Sequence, residues 1–106
     1  MPADEPVVWI PKGSSHTFDA ALKYGPLRYV YDPIDSVFNV QELFTKARRV
    51  LLDYTPTDHL LLNGPVIMNS VVFAVLIQVM PSVNLLLFHA KLEQYLERTV
   101  TNGRSD

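Results

Sequence analysis

The sequence predicts an α/β domain on a mostly parallel sheet of four or five strands, and three stretches carry that prediction. In His59–Met80, HLLLNGPVIMNSVVFAVLIQVM, three consecutive leucines suit a central strand covered on both faces. Asn63-Gly64-Pro65 then turns the chain into a helix, with Pro65 in its first turn where a missing N–H costs nothing. That helix is apolar on nearly every side, since only Asn69, Ser70 and Gln78 are polar between Val66 and Met80. It must therefore be buried on more than one face. The second stretch, Asn39–Asp53, reads as an amphipathic helix, and the third, Val83–Phe88 (VNLLLF), as another covered strand.

In chain order, Met1–Glu5 is a polar lead-in, and Pro6–Ile10 (PVVWI) is the first strand. Lys12 to Thr17 is dense in turn formers and hydrogen-bonding groups, and so forms a loop. Phe18–Tyr24 suits one or two helical turns closed by Gly25-Pro26, and Leu27–Tyr31 (LRYVY) is the second strand. Asp32 and Asp35 flank Pro33 and cap the turn that ends it. Asn39 and Glu42 stand in capping-box positions, and Phe38 and Leu43 are placed to form a hydrophobic staple. Val40, Leu43, Phe44, Ala47 and Leu51 share one helical face, while Arg48 and Arg49 lie on the solvated side. After VNLLLF, His89-Ala90-Lys91 turns into a short strand at Glu93–Leu96, with a final helical turn as the alternative. Residues 1–5 and 99–106 read as flexible tails of one domain spanning 1–106.

Helices between covered strands imply right-handed crossovers. The order β-β-α-β-α-β-β then describes a small two- or three-layer domain, a Rossmann-like half. With only two long helices the sheet is three-layered at best, and the apolar second helix keeps one face uncovered. The outer face of the second helix therefore predicts a partner, most simply a second copy in a two-fold dimer. Ser70, Ala74 and Gln78, four apart, form its least apolar stripe, which is either a solvent-facing edge or a close-packing seam between helices, the latter making it the expected interface.

Composition excludes several classes. A chain of 106 residues with 48% hydrophobic and 19% charged content is globular and of single-domain size. Net charge is −2 and the basic residues are scattered, so no extended nucleic-acid surface is expected. Cysteine is absent, which removes disulfides and thiol chemistry. No basic-then-apolar leader is present, and the apolar run of about 15 residues is shorter than the about 20 a membrane span needs. A cytoplasmic protein is expected.

In an open parallel sheet, ligands bind beyond the carboxyl ends of the strands. That edge should collect Lys12, Ser14, Ser15 and His16 after the first strand, Asp32 after the second, Asn63 and Gly64 after the third, and His89 with Lys91 after the fourth. Asn69 lies one turn into the second helix, whose N-terminal N–H groups and dipole favour a phosphate or carboxylate. Neither a Walker loop nor a three-glycine dinucleotide motif is present. His16 and His89 are the candidates for acid–base catalysis, with Ser14 or Ser15 as nucleophile. His59 falls at the opposite end of its strand, at the surface. The histidines lack metal spacing, so no metal or cofactor is expected.

The pattern LLLNGP…N…VNLLLF, over about Asp58–Tyr95, resembles short uncharacterised proteins of tailed phages. In element order the chain is also similar to small dimeric α/β proteins of archaeal viruses and phages, among them anti-CRISPR ring nucleases acting on cyclic oligoadenylates. Those proteins carry a catalytic histidine after the glycine of the strand-to-helix turn. Here Pro65 follows Gly64 and cannot transfer a proton. The resemblance implies a dimeric viral protein that binds without that reaction. A small viral accessory protein acting as a homodimer, and not an enzyme, is therefore expected. The alternatives are a nucleotide- or phosphate-binding sensor or nuclease-like enzyme, and docking onto a different protein partner.

Overall fold

The computed structural model describes residues 5–13 and 18–103. Strands β1 (Val8–Ile10), β2 (Leu27–Tyr29), β3 (His59–Leu61), β4 (Ser82–His89) and β5 (Gln94–Thr101) form one sheet in the order β2-β1-β3-β4-β5. The first four run parallel, and β5 returns antiparallel beside β4. Helices α1 (Val40–Val50) and α2 (Val66–Val79) lie in the β2–β3 and β3–β4 connections. A 3-10 helix, Asp19–Tyr24, forms the β1–β2 connection, where helical turns were expected.

This order decides which face each connection covers. Right-handed crossovers that move the same way across a sheet place their helices on the same side. The connections β2 to β3 and β3 to β4 do so, and α1 and α2 accordingly share one core with Trp9, Leu60 and Val83. The β1–β2 connection moves the other way and packs Phe18 and Ala21 against Val8, Ile10, Leu61 and Leu86 on the opposite face. Gly25 ends this connection with φ of 138°, and a Cβ there would come within 2.1 Å of the Pro6 carbonyl oxygen. Only glycine fits.

The amphipathic helix occupies its predicted place, with Leu43 and Ala47 buried. Its entry differs from the expected staple and capping box. The Asn39 side chain makes no cap hydrogen bond, and Phe38 is 91% exposed. The turn before the helix sets the approach angle instead: Lys46 binds Asp32 at 2.8 Å and Asp35 at 2.6 Å, and Ser36 Oγ accepts the Phe38 N–H. This holds Phe38 away from the core. The β4–β5 hairpin forms and is longer than predicted. β5 begins at Gln94, because Glu93 sits in the turn with φ of 50°, and continues through Thr101 into the expected tail. Val100 and Thr101 pair with Val83 and Ser82, which gives that segment a ladder to join.

Parallel strands have no hairpin to set their register, so side chains must do it. Asp58, 1% exposed just before β3, performs this task. Its Oδ1 accepts from Val7 N–H at 2.9 Å and Thr55 Oγ1 at 3.0 Å. Its Oδ2 accepts from Trp9 Nε1 at 2.9 Å and Thr55 N–H at 3.0 Å. Replacing Asp58 with Ala strands several buried donors and should cost ~3–5 kcal/mol. Urea unfolding followed by Trp9 fluorescence measures the loss; a cost below ~1 kcal/mol would show that the register is set elsewhere.

Candidate functional site

The crevice between the carboxyl ends of β1 and β3 is where the connections part to opposite faces, the usual ligand position in such sheets. The structure brings Lys12, Asn63, Gly64 and Asn69 together there. Asn63 Nδ2 donates to the Lys12 carbonyl at 2.8 Å, and the Asn63 N–H donates to Asn69 Oδ1 at 2.9 Å. Asn69 Nδ2 donates in turn to the carbonyls of Gly64, at 3.0 Å, and Pro65, at 3.1 Å. Gly64 has φ of 103°, and a Cβ on it would stand 3.0 Å from Lys12 Cβ. Glycine permits both the turn and the close approach of the two strand ends. These two amides thus bind their own backbone and clamp the ends of β1 and β3 together.

Ser14, Ser15 and His16 lie outside the described residues. His89 ends β4, and its Nδ1 accepts the Leu92 N–H at 3.3 Å, so it braces the hairpin turn. β3 stands between β4 and β1, which places His89 about 10 Å across the sheet from the loop after β1.

Beside this clamp, a cleft of about 490 Å³ opens at the ends of β1 and β2, lined by Lys12, Gly13, Tyr29, Tyr31, Asp32 and Pro33. Burial, with the Asp35 charge adding, pushes the Tyr31 phenol up to about 12. It therefore remains an O–H donor, and it donates to the Leu43 carbonyl at 2.9 Å. Burial would raise the Asp35 carboxyl, but the hydrogen bonds from Lys46 and the Asp32 N–H, with the charges of Lys46 and Lys12, outweigh it and leave the group lowered. Lys46 is raised by its hydrogen bonds to Asp32 and Asp35. Asp32 links the cleft to this cluster, whose two carboxylates outnumber its one ammonium, and Lys12 is the cation that lines the cleft.

One polar pair on the opposite face was missed. His59 is 7% exposed rather than at the surface, and its Nε2 is hydrogen-bonded to Glu97 of β5. The Tyr24 ring tilts against it at 5.1 Å, and Tyr24 Oη donates to the Tyr95 carbonyl at 3.2 Å. The signal was the two-residue period of a strand, which puts His59 on the same face as Leu61. His59 Nδ1 is buried with no hydrogen-bond partner among the described residues.

On α2, Ser70 and Gln78 are exposed and Ala74 is half-buried. Val66 is 81% exposed at the start of the same helix. Among the described residues no His, Asp or Glu cluster could hold a metal ion, and no helix is long and apolar enough to cross a membrane.

The Asp35–Lys46 pair makes stability depend on pH at both ends. A lowered carboxyl stabilises the fold above its ordinary value of 3.8, and this is lost as pH falls through the lowered value. A raised ammonium stabilises below 10.5, and this is lost as pH rises through the raised value. Lys46→Met should therefore cost about 1 kcal/mol at neutral pH. That difference from the native chain should shrink in acid and again in strong alkali, read by urea unfolding across the pH range. A difference that stays constant from acid to alkali would refute the assignment.

Comparison with known proteins supplies the lineage. No curated protein and no solved structure is significantly similar to the chain. A family model described as Phage Pam3 gp32-like protein matches residues 9–102. That span runs from Trp9 in β1 past the end of β5 and takes in both helices, and the chain belongs to the Phage Pam3 gp32-like protein family.

Proposed function

We propose that this phage-family protein is an accessory protein of the host cytoplasm that acts by binding, as a homodimer, and not by catalysis. The observation that carries the reading is the amide clamp. At the position where a sheet of this order holds a ligand, Asn63 and Asn69 are hydrogen-bonded to the protein's own backbone. The α2 N–H groups of Met68 and Asn69 are likewise turned onto the Pro65 carbonyl. Among the described residues, few side-chain donors remain there for an anion. α2, meanwhile, holds apolar surface in water at Val66 and Val79. Native mass spectrometry of protein taken directly from lysate should give a dimer without added mass. A monomer at about 100 μM, far above the dissociation constant of a stable interface, would refute the reading.

A second reading is favoured by the cleft at the ends of β1 and β2. Lys12 and the 47%-exposed Tyr29 ring line it together, a combination that suits a ring bearing a phosphate or carboxylate. Nucleotide-like anions, including the cyclic oligoadenylates of the resembling ring nucleases, belong to this class. On this reading, a panel of nucleotides should raise the Tm of the native chain, and Lys12→Ala should abolish the rise. An unmoved Tm across the panel removes the reading.

A further inference from the structure

We infer that a second copy adds to the free edge of β5, antiparallel and about a two-fold axis at Thr99, which joins two five-stranded sheets into one. The inference rests on the homodimer reading and specifies where it acts.

Register and alternation identify the unused groups of β5. Asn102 N–H donates to the Pro81 carbonyl at 3.1 Å, and the pairs run unbroken from Ser82–Thr101 to His89–Gln94. In an antiparallel ladder every second residue exchanges both backbone bonds with its partner. The even-numbered residues of β5 are therefore bound to β4, and the odd-numbered ones face away. Two side chains agree, reaching β5 carbonyls from outside the ladder: Tyr24 Oη at Tyr95, 3.2 Å, and Arg98 Nη1 at Glu97, 2.7 Å. Among the described residues nothing bonds the N–H groups of Glu97, Thr99 and Thr101, or the carbonyls of Thr99 and Thr101. Neither a proline nor a bulge blunts this edge.

The chemistry of the row selects a second copy. The Tyr24 hydroxyl bars it at Tyr95, which leaves Glu97, Thr99 and Thr101, symmetric about Thr99. An axis there sets Thr99 opposite its own copy, Glu97 opposite Thr101 and Arg98 opposite Val100, so no charge directly faces its like. An axis at Glu97 or Arg98 sets that charge against itself and runs the ladder into Tyr95. An axis at Val100 or beyond runs it into Gly103, whose φ of 76° ends the strand. The two charges that would guard the edge are turned onto their own chain, Glu97 to His59 and Arg98 to the Glu97 carbonyl. The apolar end of α2 borders the row: Val79, 72% exposed, precedes Met80, whose carbonyl accepts from Asn102 Nδ2 at 3.3 Å.

The opposite edge of the sheet does not suit its own copy. The bonds from Val8 N–H to the Pro26 carbonyl and from Val30 N–H to the Ile10 carbonyl leave Leu27 and Tyr29 facing outward on β2. An axis at Arg28 opposes two guanidinium groups. An axis at Tyr29 needs the Tyr31 N–H, already on the Pro11 carbonyl at 2.9 Å, and one at Leu27 needs the Gly25 N–H, already on the Leu22 carbonyl at 3.1 Å.

Thr99 is exposed, with its hydroxyl on Asn84 Oδ1, so it can be changed without touching the core. Thr99→Lys and Thr99→Glu should each weaken dimerisation by about tenfold in sedimentation equilibrium at low salt, because each sets like charges across the axis. Mixed in equal amounts, the two variants should associate at least as tightly as the native chain. Only a residue that meets its own copy behaves in this way. In the native dimer the amides of Glu97, Thr99 and Thr101 should exchange with solvent as slowly as those of Arg98 and Val100. A native dimer in which those three amides exchange freely, or whose affinity neither charged variant alters, would overturn this edge while leaving the homodimer reading intact. A monomeric native chain would overturn both.

Discussion

The Asp58 carboxylate is the interaction on which the sheet depends. It receives a backbone donor from the segment entering β1, the indole of Trp9 within β1, and the backbone and hydroxyl of Thr55 ahead of β3. Its carbonyl also accepts from Tyr54 Oη at 3.2 Å and Asn84 Nδ2 at 3.1 Å, which extends the tie to β4. The effect is to fix three parallel strands at their starting ends. Burial raises the Tyr54 phenol to about 12, with the Asp58 charge adding to it, so the group remains a donor across the alkaline range. A buried carboxylate is costly without partners, and this one has a donor on every side.

With the starting ends tied, the direction of each connection determines what lies on each face. α1 and α2 make a deep apolar layer, but the short Asp19–Tyr24 helix shields a much smaller area behind the sheet. That thin cover explains why polar groups survive on this face. His59 sits under Tyr24 yet reaches Glu97, whose carboxylate opens to solvent at the sheet margin. Asn84, further along the same face, donates to the Pro56 carbonyl and accepts from Thr99 Oγ1 at 2.9 Å. The pair and the amide tie the central strands to β5 without a second layer of helices.

Much of this architecture was legible from residue pattern alone. The LLL run, the Pro65 helix start and the VNLLLF strand gave the alternation that implies parallel strands, and the chain turns back after His89 as expected. The misses have specific physical causes. Glu97-Arg98 breaks the apolar alternation of β5, so its end looked like a tail, although Glu97 pairs with His59 and Arg98 with a carbonyl. Phe38 was read as a staple because local spacing allowed it, but the Asp32–Asp35–Lys46 cluster fixes the chain before the helix begins. Asp58 carried no signal in the sequence, since the donors that tie it to β1, Val7 N–H and Trp9 Nε1, lie 51 and 49 positions away. Lys12, Asn63, Gly64 and Asn69 lie together at one edge. Their mutual bonding could not be read, because a free amide and a clamped one have the same sequence.

That clamp bears directly on how such a small domain can be used. A ligand at the β1–β3 crevice would have to displace the bonds that Asn63 and Asn69 make, three of them part-buried, and replace them with its own. A domain of 106 residues has a limited core, and rigidity at both ends of its parallel strands, Asp58 at one and the amides at the other, is a considerable share of what holds it. Such a scaffold presents fixed outer surfaces well and moving parts poorly. The uncharged side of α2 and the half-buried leucines of the hairpin are held on that scaffold in one geometry. Surfaces already ordered before association lose less entropy on binding.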